Sequence, residues 1–277
     1  MKRGGIVTLF AILALIVVFG SITAYSGIWP PVSVVSSESM QHSSQWVPGV
    51  LNTGDMVFIK KVPSPLVNIQ TYVTGSDNNY SNYGEFGNVM IYRAPNGELI
   101  IHRPIFYLYW HDGTPEVQGY HGQSWIVIHY NYILLKGIGY SHRNLIVFIS
   151  QFRNVSGYIT AGDYNLGNAG NDIYFKTYDG QAVDAYAAAD QDQIAGSYLL
   201  GFYDPPVNTS HIIGIAYGLI PWVGSIKLEI LWNLGLQKEE NPVPANALLY
   251  LGITIAALLI ITLFPYRRFI SPKKPSS

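Results

Sequence analysis

The sequence predicts a mostly antiparallel β domain held between two transmembrane helices. Three observations carry this expectation. Residues 6–24 and 247–264 are apolar apart from small residues, and each run is long enough to cross a bilayer as a helix. Between them, short period-two or β-branched runs recur, separated by turns rich in Gly, Pro and Asn. No regular alternation of strands with helices suggests a parallel sheet.

Taken in chain order, residues 1–4 carry Lys2 and Arg3 and form a short basic terminus before a helix over 5–25. The domain follows over 26–245, then a second helix over 246–264 and a tail over 265–277 with Arg267, Arg268, Lys273 and Lys274. Positive charge at both outer ends puts both termini in the cytoplasm and the domain on the far side of the membrane. A cleavable secretory signal fits the first run less well. Its apolar core is long, and Ile22 spoils the small-residue pattern before Ala24.

Within the domain, strands are expected at residues 32–35, 56–59, 89–92, 99–101, 125–129, 145–149 and 212–217. Thr53-Gly54-Asp55, Pro95-Asn96-Gly97 and Pro205-Pro206 separate them, and the Asn-Gly pair between two such runs is a hairpin signal. Residues 63–87 and 168–171 read as polar loops, and the Ala- and Asp-rich stretch 183–194 as one short helix.

Composition excludes some functions. Charged residues make up 12% of the chain and the net charge is −1, which leaves no electrostatic footprint for nucleic acid. With no cysteine, the domain has neither disulfides nor thiolate chemistry. The histidines have no tight ligand spacing and there is no His-Glu-x-x-His, so neither a metal nor another cofactor is expected. Asn79, Asn154 and Asn208 begin Asn-x-Ser/Thr tripeptides, which agree with an exported domain.

Three groups of residues offer chemistry. Ser36-Ser37-Glu38-Ser39-Met40 follows the first strand soon after the N-terminal helix, and a serine needs a base to become nucleophilic. Among seven histidines, His102 stands out because it ends the expected hairpin strand 99–101 and precedes Arg103, whereas His142-Arg143 has no such context. Acids cluster at Gly162-Asp163-Tyr164-Asn165 and at Asp172, where ordinary turn chemistry is the simpler explanation of each.

Their order along the chain resembles the type I signal peptidase family, in its archaeal and endoplasmic-reticulum branch. Ser37-Glu38-Ser39-Met40 resembles that family's serine box, and Gly54-Asp55-Met56-Val57-Phe58-Ile59-Lys60 its Gly-Asp strand. Gly87-Asn88-Val89-Met90-Ile91-Tyr92-Arg93 leading to Ile101-His102-Arg103 is similar to its strand pair ending in His-Arg. Thr160-Ala161-Gly162-Asp163-Tyr164-Asn165 resembles its acidic box, and residues 213–224 its glycine-rich strand and Pro-x-x-Gly. The boxes cover about a third of the chain. Glu38 stands where the family has Gly, Gln41-His42 where it has Pro, and Ala161 where it has Lys. Residues 63–86, 104–156 and 173–211 have no counterpart and are expected to be insertions.

The resemblance implies an antiparallel β domain of the signal peptidase type and a membrane-anchored serine endopeptidase that removes signal peptides after small residues. It implies Ser39 as nucleophile, His102 as general base, and Asp172, or else Asp163, as the carboxylate that orients the imidazole. The oxyanion would be held by the Ser39 N–H and the Ser37 hydroxyl. An extended substrate would lie against Val34, Val35, Met40, Val89 and Ile91, residues that are also candidates for the core. The implied partners are signal-peptide-bearing precursors, the lipid bilayer and the protein-export machinery. Two alternatives stay open: a non-catalytic surface or assembly protein, and a specialised protease for pilin-like or surface-layer precursors.

Overall fold

A computed structural model describes residues 3–168, 177–183, 185–187, 205–236 and 243–263. Helix α1 (Arg3–Ser26) is apolar and exposed along its length. Its end docks on the domain, where the Ser26 hydroxyl donates to the Ile59 carbonyl at 2.5 Å and Lys61 N–H donates to the Ser26 carbonyl at 2.8 Å.

The chain then enters the domain through β1 (Val32–Val34) and, after a long loop, β2 (Met56–Lys60). Two short helices follow, α2 (Pro65–Asn68) and α3 (Tyr72–Asp77), with a small hairpin of β3 (Ser81–Asn82) and β4 (Glu85–Phe86). The expected loop over 63–87 is therefore partly helical. Thr71 caps α3 in a reciprocal box with Thr74, in which the two hydroxyl oxygens accept from the otherwise unpaired Thr74 and Thr71 N–H groups at its start.

The central hairpin is β5 (Met90–Arg93) and β6 (Leu99–His111), joined through the Pro95-Asn96-Gly97 turn with Gly97 at φ +89°. Next come β7 (Thr114–Val117), β8 (Ile126–Ile128), β9 (Tyr132–Ile138), β10 (Arg143–Phe148) and β11 (Gly157–Ala161). Helix α4 (Asp163–Asn168) leads to three short strands, β12 (Thr177–Tyr178), β13 (Gln181–Ala182) and β14 (Ala185–Ala187). Residues 185–187 thus form a strand, not part of the helix expected over 183–194. The last strand is β15 (Ile212–Ile220), followed by α5 (Val223–Asn233) and the apolar α6 (Ala245–Leu263).

The domain is mostly antiparallel β, with two long apolar helices near its ends. The larger sheet runs β1-β2-β15-β5-β6-β11, with β7 added to the far half of β6. A second sheet runs β14-β10-β9-β8, and its β10–β14 pair is parallel. Alternation decides which side chains enter the core: Val57 and Ile59 of β2 are buried while Met56, Phe58 and Lys60 are half-exposed. Those two pack with Val35, Met40, Leu51, Val89, Ile91 and Ala216 beneath the serine turn. A second core, centred on Phe106, Leu108, Leu135 and Leu145, joins β6 to the second sheet.

Candidate active site

The serine cluster is held in place from both sides. Before it, Val35 is locked to the Gly54 turn, since Val35 N–H donates to the Asp55 carbonyl and Gly54 N–H to the Val35 carbonyl, each at 2.9 Å. After it, Met40 is buried in the core and the Gln41 side-chain carbonyl accepts from Thr53 N–H at 3.1 Å. Between these anchors, residues Glu38–Met40 make one 3₁₀ turn that leaves Ser39 half-buried and Ser37 exposed. The two hydroxyl oxygens are 3.2 Å apart.

Asp55 secures that turn to the rest of the domain. Its carboxylate accepts from Asn52 N–H at 3.0 Å, Trp46 Nε1–H at 3.0 Å and Trp222 N–H at 3.1 Å. Burial pushes the Asp55 carboxyl up from its ordinary range against the pull of those donors. The Pro-x-x-Gly segment closes over the same place. A Cβ on Gly54, which sits at φ +91°, would collide with the Ser225 hydroxyl, and one on Gly224 would come within 2.7 Å of Val34. Trp222, between them, takes a left-handed backbone conformation at φ +62°.

His102 lies within β6, opposite Met90 of β5, and is fully buried. The strand continues for nine residues beyond it. The strand is thus much longer than the run expected over 99–101 with His102 at its end. Pro104 is accommodated because the pairing with β11 slips by one residue there: Ile159 faces Phe106 and Thr160 faces Pro104.

Ser39 and His102 line one cleft of about 670 Å³, together with Ser37, Glu98, Lys227 and Leu231. Val34 and Val35 also line it. Ile91 lines an adjoining cavity that shares Ser33, Val34, Leu99 and Lys227 with the cleft. Met40 and Val89 do not contribute to either wall. Both are packed inside the core beneath the serine turn, where their apolar side chains are removed from water, so their expected role in substrate contact is corrected to core packing.

The acidic box reaches the serine from the other side. A Cβ on Gly162 would lie 2.5 Å from the Ser39 carbonyl oxygen and 3.0 Å from the Ser39 Cβ, so only glycine permits this approach. Asp163, the next residue, is engaged by Arg103: Nε–H donates to Oδ1 at 2.8 Å and an Nη2–H to Oδ2 at 2.7 Å. His42 Nε2 lies 3.2 Å from the same Oδ2, and its ring stacks on Tyr140 at 4.3 Å between centroids. Burial alone would raise the Asp163 carboxyl, but the Arg103 guanidinium and these hydrogen bonds outweigh it and hold the group below the usual carboxylate range. Arg103 also donates to the carbonyls of Phe86 at 3.2 Å and Gly87 at 3.1 Å, tying β6 to the β4–β5 connection.

Both oxygens of Asp163 are thus engaged in bracing Arg103 and His42 beside the serine turn. The other acid singled out by sequence, Asp172, lies outside the described residues. His142 occupies an exposed turn between β9 and β10 at φ +51°. The contributions of His42, Glu98 and Lys227 were not anticipated. His42 carried a signal in its position three residues after Ser39, whereas Glu98 and Lys227 reach the cleft only through folding.

A serine hydroxyl and an imidazole facing one cleft are the two groups that acyl transfer needs. Among the described residues, no cluster of three His, Asp or Glu side chains is disposed to hold a metal ion. Compared with protein-family models and with curated proteins, the chain matches none.

Proposed function

We propose that this chain is a membrane-anchored serine endopeptidase of the signal peptidase type, which removes N-terminal leader peptides from exported precursors. The observation that carries the reading is the convergence of Ser39 and His102 on one cleft, with the Ser37 hydroxyl 3.2 Å from that of Ser39. Five short sequence boxes, widely separated in the chain, contribute to that cleft or brace it.

In this reading Ser39 Oγ attacks the scissile carbonyl while His102 accepts its proton and then delivers it to the leaving amine. The Ser39 N–H and the Ser37 hydroxyl hold the developing oxyanion. Asp172 orients the imidazole. Asp163 braces the serine turn through Arg103, a role supported by its paired hydrogen bonds.

The cleft is bordered by two strand edges that suit an extended peptide. Among the described residues β1 pairs only with β2, and residues 99–102 of β6 pair only with β5. A leader peptide added as a strand would gain main-chain hydrogen bonds and present alternate side chains to the pockets beside Val34 and Ile91. The terminal helices hold this cleft near a bilayer that also holds the leader's apolar segment, with both chain ends in the cytoplasm and the domain outside. Precursor proteins and the export machinery are the partners in this reading.

Incubating a leader-bearing precursor in detergent with the wild-type chain and with Ser39→Ala tests the proposal. Cleavage after a small residue that disappears in the variant is the expected result. A folded wild type that leaves a panel of such precursors intact overturns it.

A further inference from the structure

Helix α5 buries only one side. Gly224, Ser225 and Leu228 pack onto the domain, whereas Ile226 and Ile230, one turn apart, face outward. Trp232, Leu234 and Leu236, at and just beyond the end of the helix, are exposed as well, with Ile230 53% and Leu236 70% exposed. Five large apolar side chains exposed between residues 226 and 236 are more than the scattered apolar exposure of an ordinary water-facing surface.

The position of α5 identifies what covers this edge. Trp222, at its start, packs on Tyr250 of α6 at 5.7 Å and on Trp46 at 5.1 Å. Trp46 in turn exchanges two hydrogen bonds with Asn246: its N–H donates to Oδ1 at 2.8 Å and its carbonyl accepts from Nδ2 at 3.2 Å. The root of α5 is therefore fixed to the first turns of a helix whose apolar span is only 6% buried in the protein. Trp46, Trp222 and Tyr250 gather at that end, where a spanning helix meets the headgroups and amphipathic aromatic rings are favoured. Lys227 and Glu229 keep charge on the flanks of the helix, as on a helix lying in the plane of an interface.

We infer that Ile226 and Ile230 of α5, with Leu234 and Leu236 just beyond it, form a membrane-docking surface that lies in the interface of the bilayer crossed by α6. Leu228, Leu231 and Leu236 also line the Ser39–His102 cleft, so docking fixes one wall of the cleft at the height of the lipid headgroups. The inference rests on the terminal helices spanning a bilayer and not on the catalytic reading.

The natural chain has no cysteine, so single nitroxide labels can be placed on the full-length protein without background. Ile226→Cys, Ile230→Cys and Leu234→Cys would be labelled in vesicles of phosphatidylcholine and phosphatidylglycerol. Ile255→Cys on α6 serves as the bilayer reference and the exposed Asp112→Cys as the aqueous one. Relaxation by oxygen is then compared with relaxation by a water-soluble nickel chelate. The α5 labels are expected to follow Ile255, with oxygen the stronger relaxant. If they follow Asp112 while Ile255 reports hydrocarbon, the docking surface is refuted. Spin–spin broadening at the α5 sites that grows with protein density would assign the edge to a second copy and also refute it. A water-like signal at Ile255 would remove the spanning helix itself, and the inference with it.

Discussion

His102 and Arg103 are neighbours on one strand, yet they serve two regions built on opposite rules. His102 belongs to the cleft, where Ser39 is half-buried, Ser37 is exposed, and Glu98 and Lys227 stand at the walls. Arg103 belongs to a brace behind the serine turn, where its donors are used on Asp163 and on backbone carbonyls and the whole side chain is buried. Alternation along a strand makes such a division possible at single-residue spacing. The comparison teaches that the side facing the cleft leaves Ser37 and part of Ser39 open to a ligand above a buried imidazole, whereas the side that braces the turn directs its polar groups to partners inside the protein.

The largest effect should come from breaking the brace. Arg103→Ala would leave the Asp163 carboxylate buried without its main partner, at a cost of about 3–5 kcal/mol in stability. Urea unfolding measures this directly. Arg103→Lys should recover only part of the loss, because a point charge cannot reproduce the paired guanidinium geometry.

On the cleft side the expected effect is kinetic. Ser37→Ala should lower kcat by about 100- to 1000-fold if its hydroxyl holds the oxyanion, with little change in unfolding midpoint because Ser37 is exposed. A loss of stability without a kinetic effect would move Ser37 from the reactive region to the structural one.

Acid titration sharpens the contrast further, with a smaller effect. The Asp163 carboxyl is held below its ordinary value of 3.8, so the stability it contributes is fully present above that value and is lost as the pH falls through the folded one. Asp163→Asn should flatten that part of the profile. Asp55 and Glu85 work in the opposite sense, because burial raises both above their ordinary values of 3.8 and 4.5; their contribution is present below those values and is lost as the pH rises through the folded ones.

Much of the fold was legible because it follows from local pattern. The terminal helices are long apolar runs, and the turn at Asn96-Gly97 follows from the left-handed conformation that Gly97 adopts without a steric penalty. The length of β6 was hidden by Arg103-Pro104, whose charge and missing donor look like a strand end unless the slip opposite Thr160 is known. Residues 132–138 were passed over because the nearly continuous apolar run of β9 carries no period to separate strand from helix. The serine and the histidine could be singled out from their surroundings. The Arg103–Asp163 pair could not, since a contact sixty residues apart leaves no local pattern. His42 drew notice only as a residue standing where proline is usual, and its contacts with Asp163 and Tyr140 both join residues about a hundred positions apart.

The most direct test of Ser39 and His102 as one catalytic unit is a double-mutant cycle on precursor cleavage, using Ser39→Ala, His102→Ala and the double variant, each shown to be folded. Members of such a unit lose their function together. The cycle should therefore be strongly non-additive, with either single change costing about as much as both. Full activity in His102→Ala, or losses that simply add in the double variant, would contradict a nucleophile and base acting together in this cleft.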